Sequence, residues 1–152
     1  MTGGRSRFTR LAATVGAALA LAACGSTPLS VTQLRGSATR ICQLAVKQGT
    51  RIRAPASPAA SASFLRTGVP ILTRELASLR ALQPPSALSG DYRSALSAFS
   101  QQLTLIQAAV RRLDAGADPV ITFKLLQSQL APIESRGAAA WQALGVPSCV
   151  NQ

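Results

Sequence analysis

Three cysteines, five carboxylates and no histidine bound the chemistry open to this 152-residue chain. The cysteines are Cys24, Cys42 and Cys149; the acids are Glu75, Asp91, Asp114, Asp118 and Glu134. A thiol can carry a lipid, close a disulfide, hold a metal or attack a carbonyl, and the last two usually need an imidazole beside it. Without histidine, a Ser-His-Asp triad, a Cys-His pair and every His-based metal site are excluded. The only methionine is Met1, within the signal segment, so the common axial ligands of haem, and the methionine or histidine that a copper-binding bundle would want, are missing as well. Neither Lys47 nor Lys124 stands in an S-x-x-K context.

Two carboxylates facing one site could do general acid–base work. Each acid, however, has a structural explanation. Glu75 borders a Leu72–Leu76–Leu79 stripe, where it is expected to reach water, and Glu134 stands at a similar border beside Ile133 and near Arg136. Asp114 and Asp118 flank a turn at Gly116, and Asp91 falls early in a helix, where a negative charge suits the dipole. The expectation is a non-catalytic protein with no cofactor and no metal.

The N-terminus carries Arg5, Arg7 and Arg10, no acid, and an apolar run from Leu11 to Ala23. That run falls short of the roughly 20 residues needed to span a bilayer. A positive head, a short apolar stretch and a small-residue exit describe a secretory signal peptide. Its ending, Leu21-Ala22-Ala23-Cys24, resembles the lipobox of bacterial lipoproteins. The resemblance implies a diacylglyceryl group on the Cys24 sulfur, cleavage just before it, a second acylation (palmitate-type) of the new N-terminus, and attachment to the extracytoplasmic face of the cell membrane. The chain then divides into a signal at 1–23, a lipidated cysteine with short linker at 24–30, and a folded domain at 31–152. Abundant alanine and the excess of arginine over lysine make that domain similar to small actinobacterial lipoproteins of unknown role, a likeness that brings no functional residues. In an exported domain Cys42 and Cys149 form an even pair, and a disulfide is expected; two free buried thiols are the alternative.

Charge is unevenly placed. The formal net charge is +11, of which three units lie in the signal. Seven basic residues separate Cys24 from the first acid, Glu75. Arg35, Arg40, Lys47, Arg51 and Arg53 are therefore a candidate surface for anionic lipid headgroups, a cell-wall polymer or another envelope protein. A merely solvated basic face is the alternative. Nucleic acid is not expected as a partner of an exported chain without aromatic platforms.

Four amphipathic segments must position these groups. The first spans 31–51, with Ser30 as cap and Val31, Leu34, Ala38, Ile41 and Ala45 as its stripe. The second spans 58–82, capped by Ser57 and opened by Pro58, with Pro70 predicted to kink or break it. The third spans 86–115 and ends at Gly116; the fourth starts at Asp118-Pro119, bends at Pro132 and ends at Gly145. No stretch alternates with period two. The fold class expected is all-α, an up-down-up-down four-helix bundle whose first and fourth helices are neighbours and whose C-terminal tail is tied to the first helix. Tyr92, Phe99, Phe123 and Trp141 fall on the stripes as core residues. A cavity is conceivable where Pro70 and Pro132 distort two helices and Gly137, Ala138, Ala139 and Ala140 gather. Two functions follow: an interaction or structural module at the cell envelope, or a carrier binding an apolar or lipid-like ligand within the bundle. A large internal pocket favours the carrier; a filled core favours the module.

Overall fold

The computed structural model describes residues 27–57 and 60–150. The signal segment, Cys24 and Pro58 lie outside the described residues. Four helices make the fold: α1 (Val31–Gly49), α2 (Ser61–Arg80), α3 (Ser89–Asp114) and α4 (Pro119–Leu144). They run up-down-up-down, and there is no strand among the described residues. No helix among them is long and apolar enough to cross a membrane.

The helix ends follow local chemistry. Ser30 and Gln33 form a reciprocal capping box at α1: the Ser30 hydroxyl accepts the Gln33 N–H at 3.2 Å and the Gln33 side chain accepts the Ser30 N–H at 2.9 Å. The Asp118 carboxylate accepts the Ile121 N–H at 2.9 Å, with Pro119 at the first helical position. Gly116 and Gly145 are the residues with positive φ, at 85° and 70°. In both places the glycine N–H turns back three residues and the next N–H turns back five: Gly116 to Leu113 and Ala117 to Arg112, Gly145 to Gln142 and Val146 to Trp141. This is the left-handed helix ending that glycine makes without steric cost.

Three boundaries differ from expectation. α1 stops at Gly49, and a turn follows. α2 begins at Ser61 with Ala60 as a cap lacking a side-chain bond; the Ser57 carbonyl, not its hydroxyl, takes the Ala60 N–H at 3.0 Å. A one-turn 3-10 helix at Ser86–Leu88 precedes α3. Pro70 and Pro132 do not break their helices, and α2 and α4 run through them. Both prolines are exposed, as are Arg66 and Ser128 four residues earlier. The carbonyls that lose a helical N–H partner therefore face water, which can satisfy them.

The core is built on Leu34, Ala38 and Cys42 of α1, Leu76 and Leu79 of α2, Tyr92, Phe99 and Leu103 of α3, and Trp141 and Leu144 of α4. The α3–α4 pair is the most extensive contact, followed by α2–α3 and α1–α2. The expected partnership of the first and fourth helices is slight along the body of α4. Instead α1 packs on the C-terminal turn at Pro147–Cys149. The Cys42–Cys149 disulfide closes there, with Cα atoms 5.3 Å apart across 107 residues of sequence. At the other chain end the Leu29 N–H binds the Gln83 carbonyl at 2.9 Å, fixing the entry to α1 against the α2–α3 connection.

Candidate functional site

The side chains that could meet a ligand collect around two adjoining hollows. The first, about 470 Å³, lies between α2, α3, α4 and the C-terminal turn. Leu72, Glu75 and Leu79 come from α2, Phe99, Gln102 and Ile106 from α3, and Leu130, Glu134, Gly137 and Trp141 from α4, with the disulfide at one side. Its origin is a mismatch of side-chain size. At Gly137 α4 comes so near α3 that an added Cβ would sit 3.2 Å from the Ala98 Cβ. Gly137 and Ala138 then have little to send across toward α2, and the space stays open. The gap expected where small residues gather on α4 is thus present at Gly137 and Ala138.

The second hollow, about 580 Å³, sits between the C-terminal end of α1, the turn after it and the N-terminal half of α2. Its walls are almost wholly apolar: Val46, Ile52, Phe64, Leu65, Val69 and Ile71 among them. Leu72, Glu75 and Ile106 belong to both hollows. Each volume falls within the range of small-ligand sites, about 300–1,000 Å³. Phe64, half-buried, lines the apolar hollow.

Glu75 corrects the sequence reading most sharply. It is 3% exposed, one of the most buried polar residues, and not a border residue in contact with water. The signal was there in the spacing. Glu75 stands three residues after Leu72 and four before Leu79, so it shares their face as fully as Leu76 does. Glu134 is exposed, as expected, and sits at the mouth of the first hollow. The other acids are elsewhere. Asp118 caps α4, Asp114 forms an ion pair with Arg66, and Asp91 lies in the first turn of α3.

Tyr92 and Trp141 brace the wall beside the first hollow. Their rings meet edge to face, centroids 6.0 Å apart at 86°. The Tyr92 hydroxyl donates to the Leu79 carbonyl at 2.7 Å. Burial pushes the Tyr92 phenol up from 10.0 to about 12, because the phenolate would lose its hydration.

The basic residues split. Arg35 Nε donates to the Leu144 carbonyl at 2.8 Å, so this guanidinium holds the end of α4. Arg40 and Lys47 lie two turns apart on one exposed face of α1 with Leu44, itself 57% exposed, between them. Arg51 and Arg53 follow in the exposed turn. Arg66 pairs with Asp114, whereas Arg40, Lys47, Arg51 and Arg53 present their side chains on the exposed surface. No group of three or more potential metal ligands occurs among the described residues. Comparison with protein-family models, curated proteins and solved structures finds no match to this chain.

Proposed function

We propose that this protein is a non-catalytic component of the cell envelope, held at the extracytoplasmic face of the membrane by lipid on Cys24, and that its bundle receives an apolar, lipid-like ligand. The observation that carries the ligand reading is the pair of hollows that meet at Leu72, Glu75 and Ile106. A bundle serving only as a rigid module gains stability by filling such spaces, since empty volume forfeits dispersion contacts. The lipobox-like ending Leu21–Cys24 supports the anchor. The absence of histidine and of any nucleophile motif supports a non-catalytic role.

The anchor reading orients the molecule. Leu29 is tied to Gln83, so about five residues, at most about 18 Å, separate a lipid on Cys24 from the bundle. The end bearing Ser30, Gln83 and Leu144 faces the bilayer. The apolar hollow, at the far end of the 19-residue α1, then opens about 28 Å further out, placed to exchange a ligand with something other than its own membrane.

Native mass spectrometry of the full chain released from its own membranes tests this. The expected spectrum shows the mass of a lipidated N-terminus and an adduct of an apolar small molecule. A non-lipidated N-terminus removes the anchor; a chain that never carries an adduct removes the carrier reading. A second reading, an interaction module at the envelope, is favoured by the exposed Arg40–Leu44–Lys47 face with Arg51 and Arg53 beyond it. That face suits anionic headgroups or wall polymers, and binding of the Cys24→Ser chain, which carries no lipid, to anionic vesicles should weaken as salt is raised. Binding indifferent to salt removes this role.

A further inference from the structure

We infer that the ligand of the bundle is an anionic amphiphile, a carboxylate or phosphate head held by Arg51 and Arg53 on a hydrocarbon tail that runs inward through the apolar hollow toward the first. This identity rests on the ligand-binding reading above and adds the sign of the head and the place where it sits.

The position of the mouth is the first reason. Among the described residues that line the apolar hollow, Val46, Thr50 and Ala54 are exposed, whereas Phe64, Leu65, Val69 and Ile71 on α2 are half-buried. Water therefore reaches the hollow at the end of α1 and the turn after it. Alternation in that turn is the second. Thr50, Ile52 and Ala54 line the hollow, and Arg51 and Arg53 between them are exposed. One stretch of chain thus supplies an apolar wall and two guanidinium groups at its outer edge. The turn is fixed by its own bonds. The Arg51 N–H donates to the Gln48 carbonyl at 3.2 Å, the Ile52 N–H to the Gly49 carbonyl at 2.9 Å, and the Thr50 hydroxyl to the Lys47 carbonyl at 3.1 Å. The third reason is the chemistry of an amphiphile. Its tail gains by leaving water, whereas a charged head loses by following it, so the head stays at the mouth. A head there meets Arg51 and Arg53, and guanidinium binds carboxylate and phosphate oxygens through paired N–H donors. Arg66, beside the wall residue Leu65, is joined to Asp114 instead.

Methyl NMR of the Cys24→Ser chain, which carries no lipid, tests this. Ile52 and Ile71 line the apolar hollow, whereas Ile121 and Ile133 on α4 line neither hollow and serve as references. Four probes share one tail: decanoate, decyl phosphate, decanol and decyltrimethylammonium. At least one of the two anions should move the Ile52 and Ile71 signals at about tenfold lower concentration than decanol, the scale of one charge-assisted contact, with the ammonium probe weakest. General attraction to a chain of net charge +11 is separated from the site by two paired variants of equal charge. Arg51→Gln with Arg53→Gln should cut the anion preference at least about threefold and leave the decanol response in place. Arg93→Gln with Arg136→Gln, exposed on the α3–α4 face, should leave the preference as it was. Gly68→Leu fills the hollow from a helical position where an added Cβ meets open space, and it should abolish the response to every probe. Should the paired turn variant fail to fold, Arg51→Gln and Arg53→Gln taken singly decide. Anions no better than decanol, a preference that survives loss of Arg51 and Arg53, or one that falls equally with Arg93 and Arg136 overturns the inference and leaves an apolar ligand site intact. If none of the four probes moves Ile52 or Ile71, the ligand-binding reading falls with it.

Discussion

Tyr92 and Arg35 show how much of the bundle depends on single polar contacts. The Tyr92 phenol, held protonated up to about pH 12, keeps a proton that the unfolded chain gives up near pH 10. The stability linked to it is complete below pH 10 and disappears as pH rises through 12. As Tyr92 is the only tyrosine, a tyrosinate absorbance titration should read its pKa in isolation, well above that of the unfolded chain. Tyr92→Phe should flatten the alkaline limb of the stability profile. At neutral pH it should cost only about 1 kcal/mol in denaturant melts, because the Leu79 carbonyl keeps the Leu82 N–H at 3.1 Å. An unchanged alkaline limb would show that the phenol is not the group responsible. Arg35 binds the Leu144 carbonyl and also packs over Gly145, where an added Cβ would lie 2.9 Å from its Nε. Gly145→Ala therefore combines left-handed strain with a collision. Gly116→Ala, at a φ of 85° but in open space, meets strain alone. The first substitution should cost more than the second, which should cost about 1–2 kcal/mol; equal melting points for the two would mean that Arg35 yields freely. Arg35 was legible in the sequence only as one of a run of bases, since nothing local announces a partner 109 residues away.

Helix existence and helix ends were largely legible because they are set within a few residues: Ser30 with Gln33, Asp118 with Pro119, and Gly116 and Gly145 past their helices. What local pattern could not supply was packing across helices. The prolines illustrate this, since whether Pro70 or Pro132 breaks a helix depends on which face it occupies, and both occupy solvent. The stripe on α2 was read correctly in register, but Leu65, Val69 and Leu72 are only partly buried because they face hollows rather than side chains. Gly137 sets much of that arrangement by letting α4 approach α3 at Ala98. Gly137→Leu should force the two helices apart, at a cost of about 1–3 kcal/mol for overpacking, and should also fill the first hollow. Its melting point should fall, and the apolar adduct expected in native mass spectrometry should be lost. A variant that keeps both would place the hollow elsewhere than against Gly137.

The molecule as a whole is unequally bound together. α3 and α4 form its most extensive contact, whereas α1 relies on α2, the Arg35 bond and the C-terminal turn. The Cys42–Cys149 bond joins that weaker part to the end of α4. Its loop of 107 residues makes the constraint on the unfolded chain large, about 4–5 kcal/mol on the chain-entropy account. Total stabilities of single domains run about 5–15 kcal/mol, so the reduced protein should be near its limit. Reduction should lower the thermal midpoint by roughly 15 °C for a domain of this size. Hydrogen exchange should quicken first in α1 and the turn at 147–149, with α3 and α4 still protected. Because both cysteines line the first hollow, the loosening should also expose Trp141 to water before the helices melt. A midpoint indifferent to reduction, or exchange that quickens evenly across all four helices, would mean that α1 is held by its packing alone and that the covalent link to the C-terminal turn adds no stability of its own.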